Sequence, residues 1–224
     1  MRYGAGMDFE TVAGKTVQRA NIDPDDLTEV DAAFRGEFDF DSVHIEKGAQ
    51  VDTSGEGAIV RSLVGPVDLS GSRLAPVDLS DVRFAGAVLA NTELTDTTAR
   101  RVEFTRCQGI GLRVVFTMAA DLIAEDCRFD FASMRFDKIK NAAVFRRCSF
   151  REATFGGDLS NIVFDDCDLV DVEFAAIRAV GCDFTSSRLV GGNGLSTLRG
   201  ARIDPVQAGT LGVQFAREAG LTVD

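Results

Sequence analysis

The five cysteines are the residues of this 224-residue chain whose type and spacing first suggest chemistry. Four of them precede a large apolar residue by two positions, in the segments DCRF, RRCSF, DCDL and GCDF. From Cys107 to Cys167, successive cysteines lie 20, 21 and 19 residues apart. Such regular spacing is compatible with a metal site, with a disulfide framework or with a shape requirement of the fold.

Neither chemical interpretation of the cysteines is well supported. Zinc sites typically contain close cysteine pairs, which are missing here. The cysteine count is odd and the N-terminus shows no secretory signal, so we expect reduced thiols in a cytoplasmic protein. The lone histidine, His44, is more typical of a surface or structural residue than of a ligand or a catalytic base. We therefore expect no catalytic residue, no metal site and no cofactor.

Large apolar residues recur at every fifth position over most of the chain. Neither a helix, with a period of about 3.6 residues, nor an ordinary strand, with a period of about two, produces this spacing. The first members are Leu69, Leu74, Leu79, Phe84, Leu89 and Leu94, and the last are Phe164, Leu169, Phe174, Ala179, Phe184 and Leu189. One extra residue near Lys140–Ala143 and one missing residue near Gly156–Asp158 shift the series. The period predicts short flat sides joined by corners.

A second series, mostly of small or apolar residues, lies two positions before each member of the first. All five cysteines belong to it, as do Thr117, Asp137 and Ile177. Asp137 is its charged member, and the segment FDFASMRF also allows a shift of the inward positions onto Phe131 and Phe136. Because charged residues occupy the other three positions of each five, we expect two side chains per side to point inward and three outward.

Every fourth repeat, about twenty residues on, brings back a side chain of similar size. One such series is Phe84, Phe104, Ala124, Phe145, Phe164 and Phe184, and its neighbour is Leu79, Ala99, Ala119, Ile139, Leu159 and Ala179. A bulky column beside a lean one suits the tight packing of a narrow interior. The cysteine spacing obeys the same count, so the sequence predicts a coil with four sides.

The segments VDLSG, VDLSD, CDLVD and CDFTS resemble the motif of the pentapeptide repeat family. The resemblance covers about Val67 to Leu189, although repeats such as TARRV and CQGIG are degenerate. It implies an all-β solenoid, a right-handed quadrilateral β-helix of about six coils, with a short C-terminal α-helix as a cap. We expect an N-terminal acidic segment or cap over residues 1–58, the β-helix over 59–194 and a capping or dimerisation helix over 195–224.

The C-terminal end of such a stack needs a cap, because it exposes backbone edges and an apolar interior. Asp204 and Pro205 are typical of a helix start, and Leu211 and Phe215 share one helix face. These two side chains are expected to plug the last coil. The resemblance also implies a homodimer through this helix, which is compatible with the plug.

The N-terminal 58 residues contain two weaker patterns. Asp23 and Pro24 predict the start of a short helix with Leu27, Val30 and Phe34 on one side. The segment FRGEFDFDSVHIEKG alternates somewhat like a strand. A degenerate first coil and a separate N-terminal cap are both compatible with these patterns.

The chain carries a net charge of -11, most of it near the N-terminus. Residues 1–63 hold 13 acidic and 6 basic residues. Such a chain is a poor candidate for direct nucleic-acid binding but can attract a basic protein surface. No apolar run reaches the roughly 18 residues of a membrane span, so we expect no membrane insertion.

Outward positions in the C-terminal half carry a local concentration of acidic residues. We expect a partner-binding acidic face formed by Asp158, Asp165, Asp166, Asp168, Asp171 and Glu173. A basic band precedes it at Arg135, Lys138, Lys140, Arg146, Arg147 and Arg151. Without the family resemblance, both groups are explained by ordinary surface charge.

The resemblance leaves two functions open. Quinolone-resistance members of the family are acidic rods of about duplex width that occupy the DNA-binding saddle of type II topoisomerase. This implies a non-catalytic DNA mimic that binds DNA gyrase and modulates or protects it, although the basic band would interrupt a phosphate-like field. The alternative is a scaffold or interaction protein with no topoisomerase role, because a fold alone does not define function.

Overall fold

A computed structural model describes residues 8–46 and 48–223 of the chain. Within these residues the chain winds into a β-solenoid of about eight turns followed by a single α-helix. This confirms the predicted quadrilateral β-helix. It has more turns than the six expected, because strands upstream of residue 59 join the same stack. The division of the chain at residues 58 and 194 into separate parts stays a prediction.

The strands follow one another along the coil, and the longest continue around a corner. They are β1 (Phe9–Val12), β2 (Lys15–Gln18), β3 (Thr28–Glu29), β4 (Gly36–Asp41), β5 (Val43–Ile45), β6 (Gly48–Ala49), β7 (Ser54–Val64), β8 (Val67–Asp68), β9 (Arg73–Ala85), β10 (Glu93–Thr105), β11 (Arg113–Glu125), β12 (Ser133–Phe136), β13 (Ile139–Arg146), β14 (Thr154–Asp158), β15 (Ile162–Asp165), β16 (Asp168–Val170), β17 (Glu173–Arg178) and β18 (Arg188–Val190). Short 3-10 turns lie at Pro24–Asp26 and Leu195–Thr197, and the helix α1 is Pro205–Glu218.

Successive turns pair as parallel strands that are one coil apart in sequence. The register places Leu79 beside Ala99, and Ala99 beside Ala119. Ile139 follows in β13, and the register then shifts at the extra residue predicted near Lys140–Ala143. The five-residue series is therefore a set of columns that run along the stack.

Corners between the sides use residues with a left-handed backbone. The φ angles of Asp81, Asn91 and Asp96 are 56°, 53° and 51°. Asp and Asn tolerate this conformation better than most residues, because their short polar side chains can hydrogen-bond locally. The polar residue that closes many repeats thus forms the corner as well as part of the surface.

The interior consists of stacked columns of the predicted inward side chains. The rings of Phe84 and Phe104 stack at 5.0 Å, and Phe164 stacks on Phe145 at 5.5 Å and on Phe184 at 4.9 Å. Offset stacking of this kind stabilises aromatic pairs beyond the area that they bury.

The cysteines form part of this packing. All five are buried and unpaired. The Cys107 amide donates a hydrogen bond to Sγ of Cys127 at 3.3 Å, which places the two residues in adjacent coils. Burial raises the pKa of the Cys182 thiol, so this residue stays protonated at neutral pH. The regular spacing is therefore a shape requirement of a narrow interior, where a thiol packs as a small apolar group.

One column differs from the prediction at three positions. Thr117, Asp137 and Ile177 point outward, and Ile177 is 72% exposed. Their preceding residues turn inward instead, and Phe136 is fully buried whereas Phe131 is 56% exposed. The register shifts at this corner, because the bulky Phe136 takes the inward place and displaces the next residue into solvent.

The N-terminal region contains coils rather than the predicted short helix. Asp23 accepts a hydrogen bond from the Asp25 amide at 3.1 Å, but the helical turn ends at Asp26. The Thr28 amide then donates to the Ser42 carbonyl oxygen at 3.0 Å, and the chain enters the parallel sheet. Sheet pairing overrides the helix-start signal here, and the strand predicted over FRGEFDFDSVHIEKG is present as β4 and β5.

The helix α1 closes the C-terminal end. Asp204 accepts hydrogen bonds from the Val206 and Gln207 amides, and the Asp204 amide donates one to the Gln207 side-chain oxygen at 2.8 Å. The Gln207 amide group also donates to the carbonyl oxygens of Phe184 at 2.8 Å and Ser187 at 2.6 Å, which ties the helix start to the last coil. Neither α1 nor the short turns of the described chain is long and apolar enough to cross a membrane.

Candidate interaction surface

The outward side chains of downstream coils form rows in which neighbours have opposite charge. Arg146 contacts Glu125 at 2.9 Å on one side and Asp165 at 3.0 Å on the other. In the next row Arg147 binds Asp126 through two hydrogen bonds of 2.6 and 3.0 Å. Since the partners lie one coil apart, the charges of successive coils neutralise each other along the rod.

The six predicted acidic residues lie around one coil and do not share a side. Asp158 is beside Arg178, Asp165 beside Arg146, Asp168 beside Arg188, and Glu173 beside Thr154. Asp166 and Asp171 have left-handed backbones with φ of 53° and 54°, as corner residues do. The set is thus a ring and not a flat face, because the sequence between Asp158 and Glu173 travels through most of a full turn.

Three members of this ring are already paired. Asp165 contacts Arg146, and Asp158 lies 4.0 Å from Arg178. Asp168 contacts two arginines, Arg151 at 2.9 Å and Arg188 at 2.6 Å. Within the described part of the chain, the other three make no ion pair. A role of the ring in partner binding stays a prediction.

The predicted basic band occupies the coil before the acidic ring and supplies several of its partners. Arg151 and Arg146 reach forward to the ring, as described above. Arg135 contacts its near neighbour Asp137 at 2.9 Å, which is possible because Asp137 points outward. The band and the ring therefore form a layered charge pattern across the rod.

The first coils carry carboxylates with little compensation. The segment from Asp23 to Glu56 contains eleven acidic and two basic residues. Glu37 and Glu56, both exposed, are direct neighbours on β4 and β7. Arg73 lines a shallow cleft together with both glutamates and, among the described residues, forms no ion pair with either of them. Like charges on adjacent strands are destabilising, so this arrangement is a candidate binding surface and not a stabilising feature.

An N-terminal strap, Asp8–Asn21, lies across the outside of the middle coils. Its hairpin, β1 and β2, places Val12 and Val17 against Ile123, Val144 and Val163, all of which are buried. The strap therefore covers an apolar patch that would otherwise face solvent. Among the described residues, the strap covers this one side of the rod.

Polar contacts continue the strap along the rod axis. The donors and acceptors are Lys15 Nζ to Asn161 Oδ1 at 2.6 Å, the Gln18 amide to Asp121 Oδ1 at 3.1 Å, the Ala20 amide to Glu103 Oε1 at 2.8 Å, and the Asn21 amide to Asp81 Oδ1 at 2.9 Å. Each acceptor lies in an earlier coil than the one before, so the strap crosses several turns of the solenoid.

Ion pairs under the strap are better shielded than those elsewhere. Arg19 contacts Glu10 at 2.5 Å and Glu103 at 3.0 Å, and Arg146 contacts Glu10 at 2.5 Å. Burial opposes the ionisation of Glu10, but the hydrogen bonds from Arg146 and Arg19 outweigh it and lower the pKa of this carboxyl below its ordinary value.

Sequence reasoning missed the strap, although one signal was present. Ile123, Val144 and Val163 occupy the same outward position in three successive coils, where charged residues stand in most others. An apolar run along an outward row indicates that something covers it. The hairpin residues Val12 and Val17 alternate with polar residues, as expected for a strand with one buried face.

Comparison with known proteins agrees with the repeat. The family model for pentapeptide repeats matches residues 78–108, with 8 copies of the repeat. No curated protein matches the chain by sequence.

Solved structures of repeat proteins are similar to the chain at low identity. A trypsin-treated form of QnrB1, a plasmid-mediated fluoroquinolone resistance protein, is 18% identical over 88% of this chain and 95% of its own, with a TM-score of 0.42. HetL, a pentapeptide repeat protein involved in heterocyst differentiation regulation from the cyanobacterium Nostoc sp. strain PCC 7120, is 15% identical over 75% of this chain and 90% of its own, with a TM-score of 0.31. The chain therefore carries pentapeptide repeats at residues 78–108, and coils of the same kind continue on both sides of this segment.

Proposed function

We propose that this protein is a non-catalytic rod that binds other proteins through its outer surface. The observation that supports this is the concentration of weakly compensated carboxylates on the first coils, with Glu37 beside Glu56. The cost of placing like charges side by side is recovered when a basic surface binds there. The rigid stack holds these carboxylates in fixed positions, which lowers the entropy lost on binding.

The partner that the family resemblance nominates is DNA gyrase. In this proposal the acidic first coils imitate DNA phosphates and contact the basic surface on which a type II topoisomerase holds DNA. Binding would modulate the enzyme or protect it from quinolones. Electrostatic attraction between an acidic rod and a basic saddle would also accelerate their association.

The paired rows of the downstream coils limit where mimicry can occur. Arg146, Arg147 and Arg151 interrupt the negative field at the middle of the rod. We therefore propose that gyrase contacts the first coils, and that the downstream ring around Asp166 and Asp171 has at most a minor part.

A scaffold with no topoisomerase role is the second candidate function. It is favoured by the same alternation of charge, because rows of ion pairs suit a stable surface for protein contacts better than a phosphate-like field. The two functions differ in one observable, the effect of the protein on gyrase.

A supercoiling assay with purified gyrase tests the proposal. We expect micromolar protein to inhibit supercoiling or to reduce its inhibition by a fluoroquinolone. The double variant Glu37→Gln with Glu56→Gln should weaken this effect at least tenfold. The matched control, Asp166→Asn with Asp171→Asn, removes the same charge from exposed downstream positions and should change the effect less than threefold.

The outcomes separate the two functions. No effect of the wild-type protein on gyrase, together with no binding, would favour the scaffold. If both double variants weaken the effect equally, the preference for the first coils is wrong and the downstream ring contributes as much. Circular dichroism of all variants is needed to show that the β-helix is retained.

Two further features belong to the proposal. We place the protein in the cytoplasm, supported by five free thiols that suit a reducing compartment.

We also propose a homodimer through α1. Leu211 is buried against the last coil and Phe215 is partly buried, so both serve the cap, and the exposed valines of the helix are left for a second copy.

A further inference from the structure

We propose that Glu29, His44 and Glu46 bind a divalent transition metal of the zinc class at the N-terminal end of the rod. The ion would join the edge strand β3 to the coil that follows it. This inference does not rest on the proposed function. Sequence reasoning dismissed His44, because its carboxylate partner Glu29 lies fifteen positions earlier in the chain.

The backbone register brings the three side chains together. Glu29 is the direct neighbour of His44 in the parallel pairing of β3 with β5. The pairing is fixed on both sides, since the Thr28 amide donates to Ser42 at 3.0 Å and the Val30 amide donates to His44 at 3.0 Å. Glu46 lies two positions after His44, on the same side of an extended chain.

The ligand atoms are close enough for one ion. One imidazole nitrogen and one oxygen from each glutamate lie within 4.8 Å of one another. Tetrahedral zinc with bonds of about 2.0–2.2 Å needs its ligand atoms about 3.4 Å apart. Both glutamates are exposed, so small rotamer changes can close the difference.

The donor set selects among metals. One imidazole with carboxylates suits Zn²⁺, whereas Ca²⁺ and Mg²⁺ prefer oxygen ligands alone. Glu29, His44 and Glu46 line one cleft together with Asp31, which can supply a fourth oxygen, or a water can take that position. A net negative cluster also repels itself, and a divalent cation removes that repulsion.

The position of the cluster gives binding a structural consequence. The strand β3 has only two residues and forms the end of the main sheet. An ion held by Glu29 on one side and by His44 and Glu46 on the other would tie this edge to the stack. Metal binding is therefore expected to stabilise the first coil and to reduce its opening.

Isothermal titration of untagged full-length protein with ZnCl₂ tests the proposal. We expect one zinc ion per chain with micromolar affinity or tighter, and no comparable heat with MgCl₂. His44→Gln and Glu46→Gln should each weaken zinc binding at least tenfold. The matched control Glu37→Gln removes an exposed glutamate from the same coil outside the cleft and should leave the affinity within threefold.

Hydrogen exchange gives a second readout that does not depend on the heat signal. Zinc should slow exchange of the Val30 amide in the wild-type protein and not in His44→Gln. Unchanged affinity in both folded variants, or no stoichiometric binding to the wild-type protein, would overturn the site. So would binding that survives His44→Gln and disappears after alkylation of the thiols, because the cysteines would then be the ligands.

Discussion

The carboxylate of Glu103 accepts a hydrogen bond from the backbone amide of Ala20 at 2.8 Å, across 83 residues of sequence. Glu103 is only 2% exposed and also contacts Arg19 at 3.0 Å and Arg83 at 3.2 Å. A buried carboxylate with this many donors is stabilising only while all of them stay in place. The strap and the coil beneath it therefore depend on each other.

Glu103→Gln is expected to loosen the strap. The amide keeps the shape of the side chain but removes the charge that Arg19 and Arg83 contact, and it adds donors with no acceptor. We predict a loss of about 1–3 kcal/mol in the free energy of unfolding. Hydrogen exchange of residues 8–21 should accelerate more than that of the core.

The control for this change is Glu93→Gln. Its ion pair with Arg113 is exposed, with 70% of the arginine side chain accessible, so the loss should stay below about 0.5 kcal/mol. If both variants lower the free energy of unfolding equally, the shielding of Glu103 by the strap does not contribute to stability.

Acid should weaken the docking of the strap on the coils. Burial opposes the ionisation of Asp81, but the hydrogen bonds from Arg101 and from the Asn21 amide outweigh it and lower the pKa of Asp81 below its ordinary value of 3.8. A lowered folded-state pKa contributes stability that is complete above the ordinary value and is lost as the pH falls through the folded value. The pKa of Glu10 in the strap is lowered as well.

We therefore expect strap docking to be unaffected above about pH 4.5 and to weaken progressively below about pH 4. Tryptic or peptic digestion cannot span this range, so hydrogen exchange or NMR shifts of residues 8–21 should be followed against pH. Release of the strap near neutral pH would contradict the assignment to these carboxylates.

The phenylalanine column should dominate the stability of the downstream coils. Phe164 is fully buried and stacks on Phe145 and Phe184. Phe164→Ala removes both contacts and leaves a cavity, for which we predict a loss of about 3–5 kcal/mol. Phe131→Ala removes the same ring from a site that is 56% exposed and should cost below about 0.5 kcal/mol. Chemical denaturation of both variants compares them, and similar losses would mean that the inward positions are wrongly assigned.

The interior could be predicted from sequence because a solenoid repeats one packing problem in every coil. A side chain that faces inward in one turn faces inward in the next, so Phe164 and Cys148 are each supported by their whole column. Local exceptions arise where bulk competes with register, as at Phe136, which takes the inward place and pushes Asp137 outward. The five-residue period alone cannot show which of two neighbouring residues points into the interior.

The outer surface could be predicted only in part, because its contacts cross long distances in sequence. The acidic residues from Asp158 to Glu173 fall within sixteen positions of the chain, yet they lie around the coil and not on one side. Conversely, Glu29 and His44 are separated in sequence and meet through strand pairing. The contact between Ala20 in the strap and Glu103 is the hardest to predict, because Ala20 lies outside the five-residue repeats and 83 residues from Glu103.

The helix α1 has one face buried against the last coil and another face exposed to solvent. Leu211 is 1% exposed against the last coil, whereas Val206 is 75% and Val213 is 46% exposed. The two valines lie seven positions apart and so share a face, which we expect to form the dimer contact. Val206→Glu with Val213→Glu should convert a dimer to a monomer in sedimentation velocity and leave unfolding of the monomer nearly unchanged.

Leu211→Ala should have the opposite effect. It opens the end of the apolar interior and is expected to cost about 2–5 kcal/mol without changing the association of the folded chains. If the wild-type protein sediments as a monomer at tens of micromolar, α1 is a cap alone and the dimer proposal is wrong. If Leu211→Ala dissociates a dimer without loss of stability, the buried face would instead be the one that contacts the second copy, and the plug would be the incorrect assignment.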